Sequence, residues 1–174
     1  ELKALQSQIN PHFLYNTLDS IIWMAEGRKY EEVVLMTASL ARLLRQSISN
    51  EDEVVPLARE VEYAKGYLTI QKMRYKDKLE FEIDVEPSIL NIPLIKLVLQ
   101  PIIENAIYHG LKYKESKGLL QVKGFMKDGN AVLQVIDNGV GMDEETLSHI
   151  YDKHKVNYHS NGVGVYNVQK RLKL

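Results

Sequence analysis

Gln8, His12, Asn16 and Ser20 recur every four residues in the segment LQSQINPHFLYNTLDSI. Positions four apart share one face of a helix, so the pattern aligns an imidazole with amide and hydroxyl groups. Asp19, seven residues after His12, lies close to the same face. Imidazole titrates near neutrality, which leaves a ring nitrogen able to attack an electrophile at cellular pH. Pro11 directly precedes His12, and a proline inside a helix removes a backbone hydrogen bond and kinks it. Two readings stand side by side: a surface histidine beside a tolerated kink, or a nucleophile presented to solvent.

Three further blocks suit a phosphorylated ligand, although GxxxxGK[ST] is absent and a Walker-type loop is thereby excluded. In QPIIENAIYHGLK, residues 100–112, Glu104 and Asn105 stand among Ile102, Ile103, Ala106 and Ile107. A carboxylate and an amide in an apolar helix need partners. A hard cation such as Mg²⁺ takes oxygen ligands, and Asn105 can supply one; His109 follows four residues later on the same face. The plain alternative is a helix with a polar edge. In VIDNGVGMD, residues 135–143, an apolar strand ends at Asp137, and Gly139 and Gly141 let the backbone turn tightly. A carboxylate fixed there can accept a hydrogen bond from an adenine amino group, or simply close a turn. In NGVGVYNVQKRL, residues 161–172, Gly162 and Gly164 precede a helix whose first N–H groups favour anions. That block is a phosphate cradle or a glycine-rich loop.

The surrounding pattern supplies elements to hold these groups. Leu14, Leu18, Ile21 and Ala25 form a heptad-like seam, Gly27-Arg28-Lys29 breaks it, and Val33, Met36, Leu40, Leu43 and Ser47 form a second periodic run. These predict a helical hairpin, too small to bury its apolar face alone, which pairing with a second copy into a four-helix bundle would remedy. The seam leaves His12 reachable by solvent. The polar stretch Ser49–Glu53 predicts a linker, and a third helix is expected from Leu57, after Pro56, to about Tyr75. Leu79, Phe81, Ile83 and Val85 alternate with charged residues, as a half-buried strand does. Pro93 is expected to open another helix reaching about Tyr108. Strands near 119–127 and 131–136 flank Asp128-Gly129-Asn130, a tight hairpin turn, and a last helix runs to Leu174. The second half is thus an α+β layer domain.

Composition sets limits. The 174 residues are 45% apolar, carry a net charge of −1 and contain no cysteine. Disulfide frameworks and thiolate metal sites are excluded. Without a basic stripe, nucleic acid is not expected as a direct partner. No apolar run reaches the roughly 18 residues that a membrane span needs. The chain begins without methionine on what reads as a helix already under way, so any membrane anchor or sensor is expected upstream.

The ENA helix, the DNGVGM strand end and GVGVYNVQKRL, in that order, resemble the N, G1 and G2 boxes of the GHKL ATPase superfamily over residues 100–172. That group includes histidine kinases, Hsp90-type chaperones, MutL proteins and type II topoisomerases. QINPHFLYNTLDSI resembles the phosphoacceptor box of the LytS/YesM-type sensor histidine kinases, which extends the likeness to nearly the whole chain. The resemblance implies a dimerisation and phosphotransfer hairpin over residues 1–50, then a Bergerat-type α/β sandwich that binds ATP over 51–174. It implies His12 as phosphoacceptor, Asn105 as Mg²⁺ ligand and Asp137 as adenine partner. Gly139, Gly141, Gly162 and Gly164 would embrace the nucleotide, with His109 and Lys112 in the same set. Glu104 would polarise water or the metal shell. Residues from about Glu144 to Asn161 would form a lid, with His149, His154 and His159 solvated.

The implied reaction is autophosphorylation of His12 by ATP, then transfer to an aspartate of a response regulator receiver domain. Domain movement about residues 49–56 would bring donor and acceptor together, and Asn16 could orient water for the reverse reaction. The implied setting is the cytoplasmic portion of a homodimeric bacterial inner- or plasma-membrane protein. The alternatives are a GHKL-type ATPase and a nucleotide-binding dimerisation scaffold without kinase activity. Two departures stand out. Commoner histidine kinases carry an acid after the phosphoacceptor, whereas Phe13 follows His12, leaving Asp19, Gln8 or a water as proton acceptors. A further β-hairpin, usual in the family after the last helix, is expected beyond Leu174.

Overall fold

A computed structural model of the chain describes residues 11–48, 54–112 and 114–149, together with 168, 169 and 172. Helix α1 (Pro11–Glu26) and helix α2 (Tyr30–Ile48) form the expected hairpin. The break falls where Gly27-Arg28-Lys29 predicted it. Arg28 takes the left-handed conformation (φ 57°), and the Lys29 amide donates to the Met24 carbonyl at 2.9 Å. This is the helix-ending bond of a Schellman-type stop. The part of the hairpin buried within the chain is Phe13, Thr17 and Met24 on α1 and Met36, Leu40 and Leu43 on α2. The α2 face is the predicted one. The α1 face lies one residue ahead of the Leu14–Leu18–Ile21–Ala25 seam, about 100° round the helix, so Leu18 and Ala25 are left exposed.

The hairpin face is covered by helix α3 (Leu57–Tyr75) of the same chain. Leu43 lies against Gly66, where an added Cβ would stand 3.4 Å from its Cδ1. The Phe13 ring sits 4.7 Å from that of Tyr67. On its other side α3 packs against helix α4 (Leu99–Asn105) and the sheet. One apolar cluster therefore runs from Phe13 and Leu43 through Tyr67, Leu68 and Ile70 to Ile103, Leu120 and Val122.

The sheet has three strands in the order β2-β4-β5, where β2 is Leu79–Val85, β4 Gly118–Lys127 and β5 Asn130–Asp137. Strand β2 runs parallel to β4, and β4 is antiparallel to β5. Alternation explains its two faces: Leu120, Val122 and Gly124 are buried, while Leu119 is exposed and Gln121 and Lys123 are only partly covered. The β4–β5 turn has positive φ at both Asp128 (51°) and Gly129 (79°), as a two-residue type I′ hairpin requires.

Two expectations need correction. Residues 49–56 do not form a linker to their end, because Val54–Pro56 is a strand, β1, antiparallel to β3 (Pro93–Ile95). Its β-branched pair Val54 and Val55 faces Ile95 and Leu94, a pairing that suits strand residues. Pro93 accordingly sits in a strand opposite Pro56 and opens no helix. Helix α4 begins at Leu99 and carries Pro101 in its first turn, where a missing N–H costs no helical bond. What fixes that start is Glu60 of α3, 7% exposed. Its carboxylate accepts the backbone N–H groups of Leu97 (2.7 Å), Val98 (2.8 Å) and Leu99 (3.0 Å). These are orphan donors of a helix start, and a carboxylate there also complements the helix dipole.

Glu60→Ala should destabilise the chain by about 3 kcal/mol or more, since buried N–H groups left without partners cost about 1–3 kcal/mol each. Glu60→Gln, which keeps an acceptor oxygen, should lose less. Urea unfolding midpoints of the three proteins check the order.

Candidate functional site

The site is built where helix α4 meets the end of β5. After Asn105 the helix widens into a π-turn over Ala106–Leu111, closed by the Lys112 amide donating to the Ile107 carbonyl at 2.9 Å. Such turns displace the residues that follow them and recur at functional sites. The displaced residue is Gly110, pressed against Asp137 and Gly139. A Cβ on Gly110 would lie 2.7 Å from Asp137 Oδ1, and one on Gly139 would lie 2.4 Å from the Gly110 carbonyl oxygen. Gly139 cannot hold a side chain without moving backbone, and a Cβ on Gly110 would push the Asp137 carboxylate aside.

Hydrogen bonds lock this approach. The Gly139 amide donates to Asp137 Oδ1 at 2.9 Å, and the Val140 amide donates to the Gly110 carbonyl at 3.0 Å. Asn138 ties the same turn to β4, its Oδ1 accepting the Leu119 amide at 2.7 Å. Lys114 Nζ donates to the Asn138 carbonyl at 2.6 Å. Beyond it Gly141 takes φ 73°, and Val140 and Met142 stand 62% and 45% exposed. Apolar side chains beside a fixed carboxylate suit a flat heterocycle with an exocyclic amine.

The polar groups of α4 sit in a partly dry setting. Gln100 Nε2 donates to Glu104 Oε1 at 2.9 Å. Burial pushes the Glu104 carboxyl above the usual carboxylate range, and the Gln100 bond opposes that shift. Asn105 Nδ2 is buried without a partner among the described residues. A buried amide without a partner costs about 1–3 kcal/mol, which a bound ligand would offset. Burial and the Lys112 charge hold the His109 imidazole below its usual range.

His12 stands exposed on α1, with Asn16 Nδ2 3.0 Å from its Nδ1 and 3.2 Å from its Nε2. Ser20, expected on the same face, donates its hydroxyl to the Asn16 carbonyl at 2.8 Å. The His12 ring lies 6.0 Å from that of Tyr108, at 58°. The structure therefore brings His12 and Asn16 beside the helix that carries Glu104, Asn105 and His109, and it joins that helix to Asp137 and Gly139. Gly162, Gly164 and Gln8 lie outside the described residues. Of the expected lid, Glu144–His149 is helical and residues 150–161 lie outside the described residues.

Sequence reasoning missed Glu60, Tyr67, Tyr108, Gly110 and Asn138. Gly110 had a signal: it follows His109 at the end of the ENA helix, where a glycine is costly unless another backbone approaches. Asn138 sits between two singled-out residues. Glu60 and Tyr67 had none, because the direction in which α3 points them depends on the fold.

Comparison with known proteins adds three findings. Residues 1–79 match the family described as Histidine kinase, and residues 91–174 match that described as Histidine kinase-, DNA gyrase B-, and HSP90-like ATPase. The chain is 36% identical to the sensor histidine kinase YesM of Bacillus subtilis, over 100% of this chain and 29% of that protein. It is 33% identical to the sensor histidine kinase YpdA of Escherichia coli, over 100% of this chain and 30% of the relative. The chain thus spans about 30% of the length of these relatives. In fold it is similar to the histidine kinase domain of a blue-light activated histidine kinase from Erythrobacter litoralis. That likeness has a TM-score of 0.50 at 13% identity, over 90% of this chain and 83% of the other.

Gly110→Ala should displace Asp137 and weaken binding of a fluorescent ATP analogue by about tenfold or more, about 1.4 kcal/mol, with far-ultraviolet circular dichroism unchanged. Glu104 gives a pH test. Its raised pKa means that the folded chain keeps a proton which the unfolded chain releases. Its contribution is present below the ordinary value of 4.5 and is lost as pH rises through the folded value. Glu104→Gln should therefore melt higher than the parent at pH 7 and with it near pH 4, in thermal scans at both pH values.

Proposed function

The chain belongs to the histidine kinase family, and we propose that it is the core of a sensor histidine kinase that transfers the γ-phosphoryl group of ATP to His12. The observation that carries this reading is the position of His12, 6.0 Å ring to ring from Tyr108 on the helix that bears Asn105. An ATP-binding family segment and an exposed imidazole thus adjoin in one chain. An ATPase acting on water has no use for that imidazole.

In the proposed reaction an unprotonated ring nitrogen of His12 attacks the γ-phosphorus. An N–P bond forms, the bond from the γ-phosphorus to the bridging oxygen breaks, and ADP leaves while the ring's N–H proton passes to solvent. Phosphoryl transfer depends on positioning and charge neutralisation more than on covalent help. Asn16 holds the ring in place. Asp137 fixes the adenine, its strand end pinned at Gly110 and Gly139, and Gly141 turns the chain beyond it. The unpartnered Nδ2 of Asn105 is a donor that suits a phosphate oxygen, while its Oδ1 would hold Mg²⁺, which would neutralise phosphate charge. Glu104 orders the adjoining waters, and His109, Lys112, Gly162 and Gly164 complete the nucleotide set.

The phosphoryl group then passes to an aspartate of a response regulator receiver domain docked near His12. Dimerisation would use the outward face of α1, where Leu18, Ile22 and Trp23 are 43%, 53% and 75% exposed. No described helix is long and apolar enough to cross a membrane.

With Mg²⁺ and γ-labelled ATP, the chain should acquire label that is lost in acid and survives base, as a phosphoramidate does. His12→Gln should abolish it. Asn105→Asp should reduce it at least a hundredfold while circular dichroism stays unchanged. Label persisting on His12→Gln would sink the assignment.

A further inference from the structure

We infer that Phe13 is the anchor that docks the phosphoacceptor onto the nucleotide domain of its own chain, with Tyr67 as its receiver, so that transfer to His12 runs in cis. The inference rests on the kinase reading above and adds a positioning pair and a direction to it. Phe13 is 1% exposed, and its ring lies 4.7 Å from that of Tyr67, tilted by 35°. Tyr67, also 1% exposed, is held from its other end: Gln71 Nε2 donates to its hydroxyl oxygen at 2.7 Å, and Arg74 Nη1 donates to Gln71 Oε1 at 2.8 Å. The receiving ring is therefore fixed along α3, and α3 is fixed to α4 by Glu60.

Neighbouring residues on a helix point about 100° apart. Seating Phe13 inward thus turns His12 to the rim of the contact, where its ring meets Tyr108 at 6.0 Å. Tyr108 comes three residues after Asn105, on the π-turn that continues the same helix. One buried side chain in this way sets the distance between the acceptor ring and the nucleotide helix. Both partners belong to the same chain, and a transfer between two chains would first have to break the Phe13–Tyr67 contact. The anchor also accounts for the residue that follows His12. An acid at position 13 would be buried against a phenol ring with no cation on the α1 side, since Asp19 is the charged residue nearest to it on α1 between Pro11 and Glu26. Burying an unpaired carboxylate is costly.

Two arms test this. In the first, His12→Gln and Asn105→Asp chains carrying different tags are co-expressed, co-purified and given γ-labelled ATP and Mg²⁺. Transfer in cis leaves both chains unlabelled, because each lacks one half of the reaction. Label on the Asn105→Asp chain overturns the inference. If the parent chain itself takes no label, the kinase reading has failed; if the parent is labelled and the mixed pair is too, only the cis assignment has failed. In the second arm, Phe13→Ala should lower the labelling rate at saturating ATP at least tenfold with the half-saturating ATP concentration unchanged within twofold. Phe13→Leu, which refills most of the volume, should recover at least a third of the rate. An unchanged rate in Phe13→Ala overturns the anchor, as does a parallel loss of rate and ATP affinity in both variants, which marks general packing.

Discussion

The carboxylate of Glu60, buried against the start of α4, is the contact on which the site geometry turns. It takes three consecutive backbone N–H groups that would otherwise have no partner, and so decides where α4 begins. That start sets the phase of Glu104 and Asn105 along the helix, at 100° per residue, and the π-turn carries Tyr108 on from there. Because Glu60 belongs to α3, the helix on which the hairpin rests, a single carboxylate ties the hairpin side of the molecule to α4. A neutral cap would satisfy fewer donors and lack the match to the helix dipole. Leu97, with φ 64°, shows how tightly the chain is bent to present its amide to that carboxylate.

The second constraint is close packing of backbone on backbone. Gly110 and Gly139 meet with no room for a Cβ, and the π-turn beginning at Ala106 moves Gly110 into that contact. An α-helical path would place Gly110 elsewhere on the cylinder and loosen the strand end that carries Asp137. The wide turn thus serves the carboxylate: strand β5 delivers Asp137, the Gly139 amide holds one of its oxygens, and the Val140 amide fastens the whole to the helix.

What the sequence makes legible follows from how local each signal is. The α2 stripe, the β2 alternation and the Asp128-Gly129 turn depend on period and on φ > 0 at two residues, and all lie where their residues place them. Asp137 and Asn105 drew notice because a polar group in an apolar run needs a partner, and Gly139 because it follows a strand end; the structure joins Gly139 to Asp137 and leaves Asn105 Nδ2 without a partner among the described residues. Pro93 misled because proline at a first helical turn and proline on a strand edge look alike until the partner strand is known; here Pro56 is that partner. The α1 face was one residue off because Leu14, Leu18, Ile21 and Ala25 and the set Phe13, Thr17 and Met24 both fit a helical stripe. Only the presence of α3 selects between them. Glu60 and Tyr67 were illegible for the same reason, since their roles exist only between elements.

That unequal hold on the hairpin bears on how such a core could cycle. Helix α2 buries Met36, Leu40 and Leu43, and α3 lies along it. Helix α1 buries Phe13, Thr17 and Met24, with the Thr17 hydroxyl spent on the Phe13 carbonyl of its own helix. Full burial of one large apolar side chain contributes about 1.5–3 kcal/mol, and each 1.4 kcal/mol is about a factor of ten in an equilibrium. Phe13 therefore favours the docked α1 by something like one to two orders of magnitude, enough to hold His12 beside Tyr108 and little enough to be reversed by a competing contact. The α2–α3 face is the more extensive contact and has no such easy release. Movement within the hairpin is thus expected in α1 about the Gly27–Lys29 turn, with α2 staying on α3.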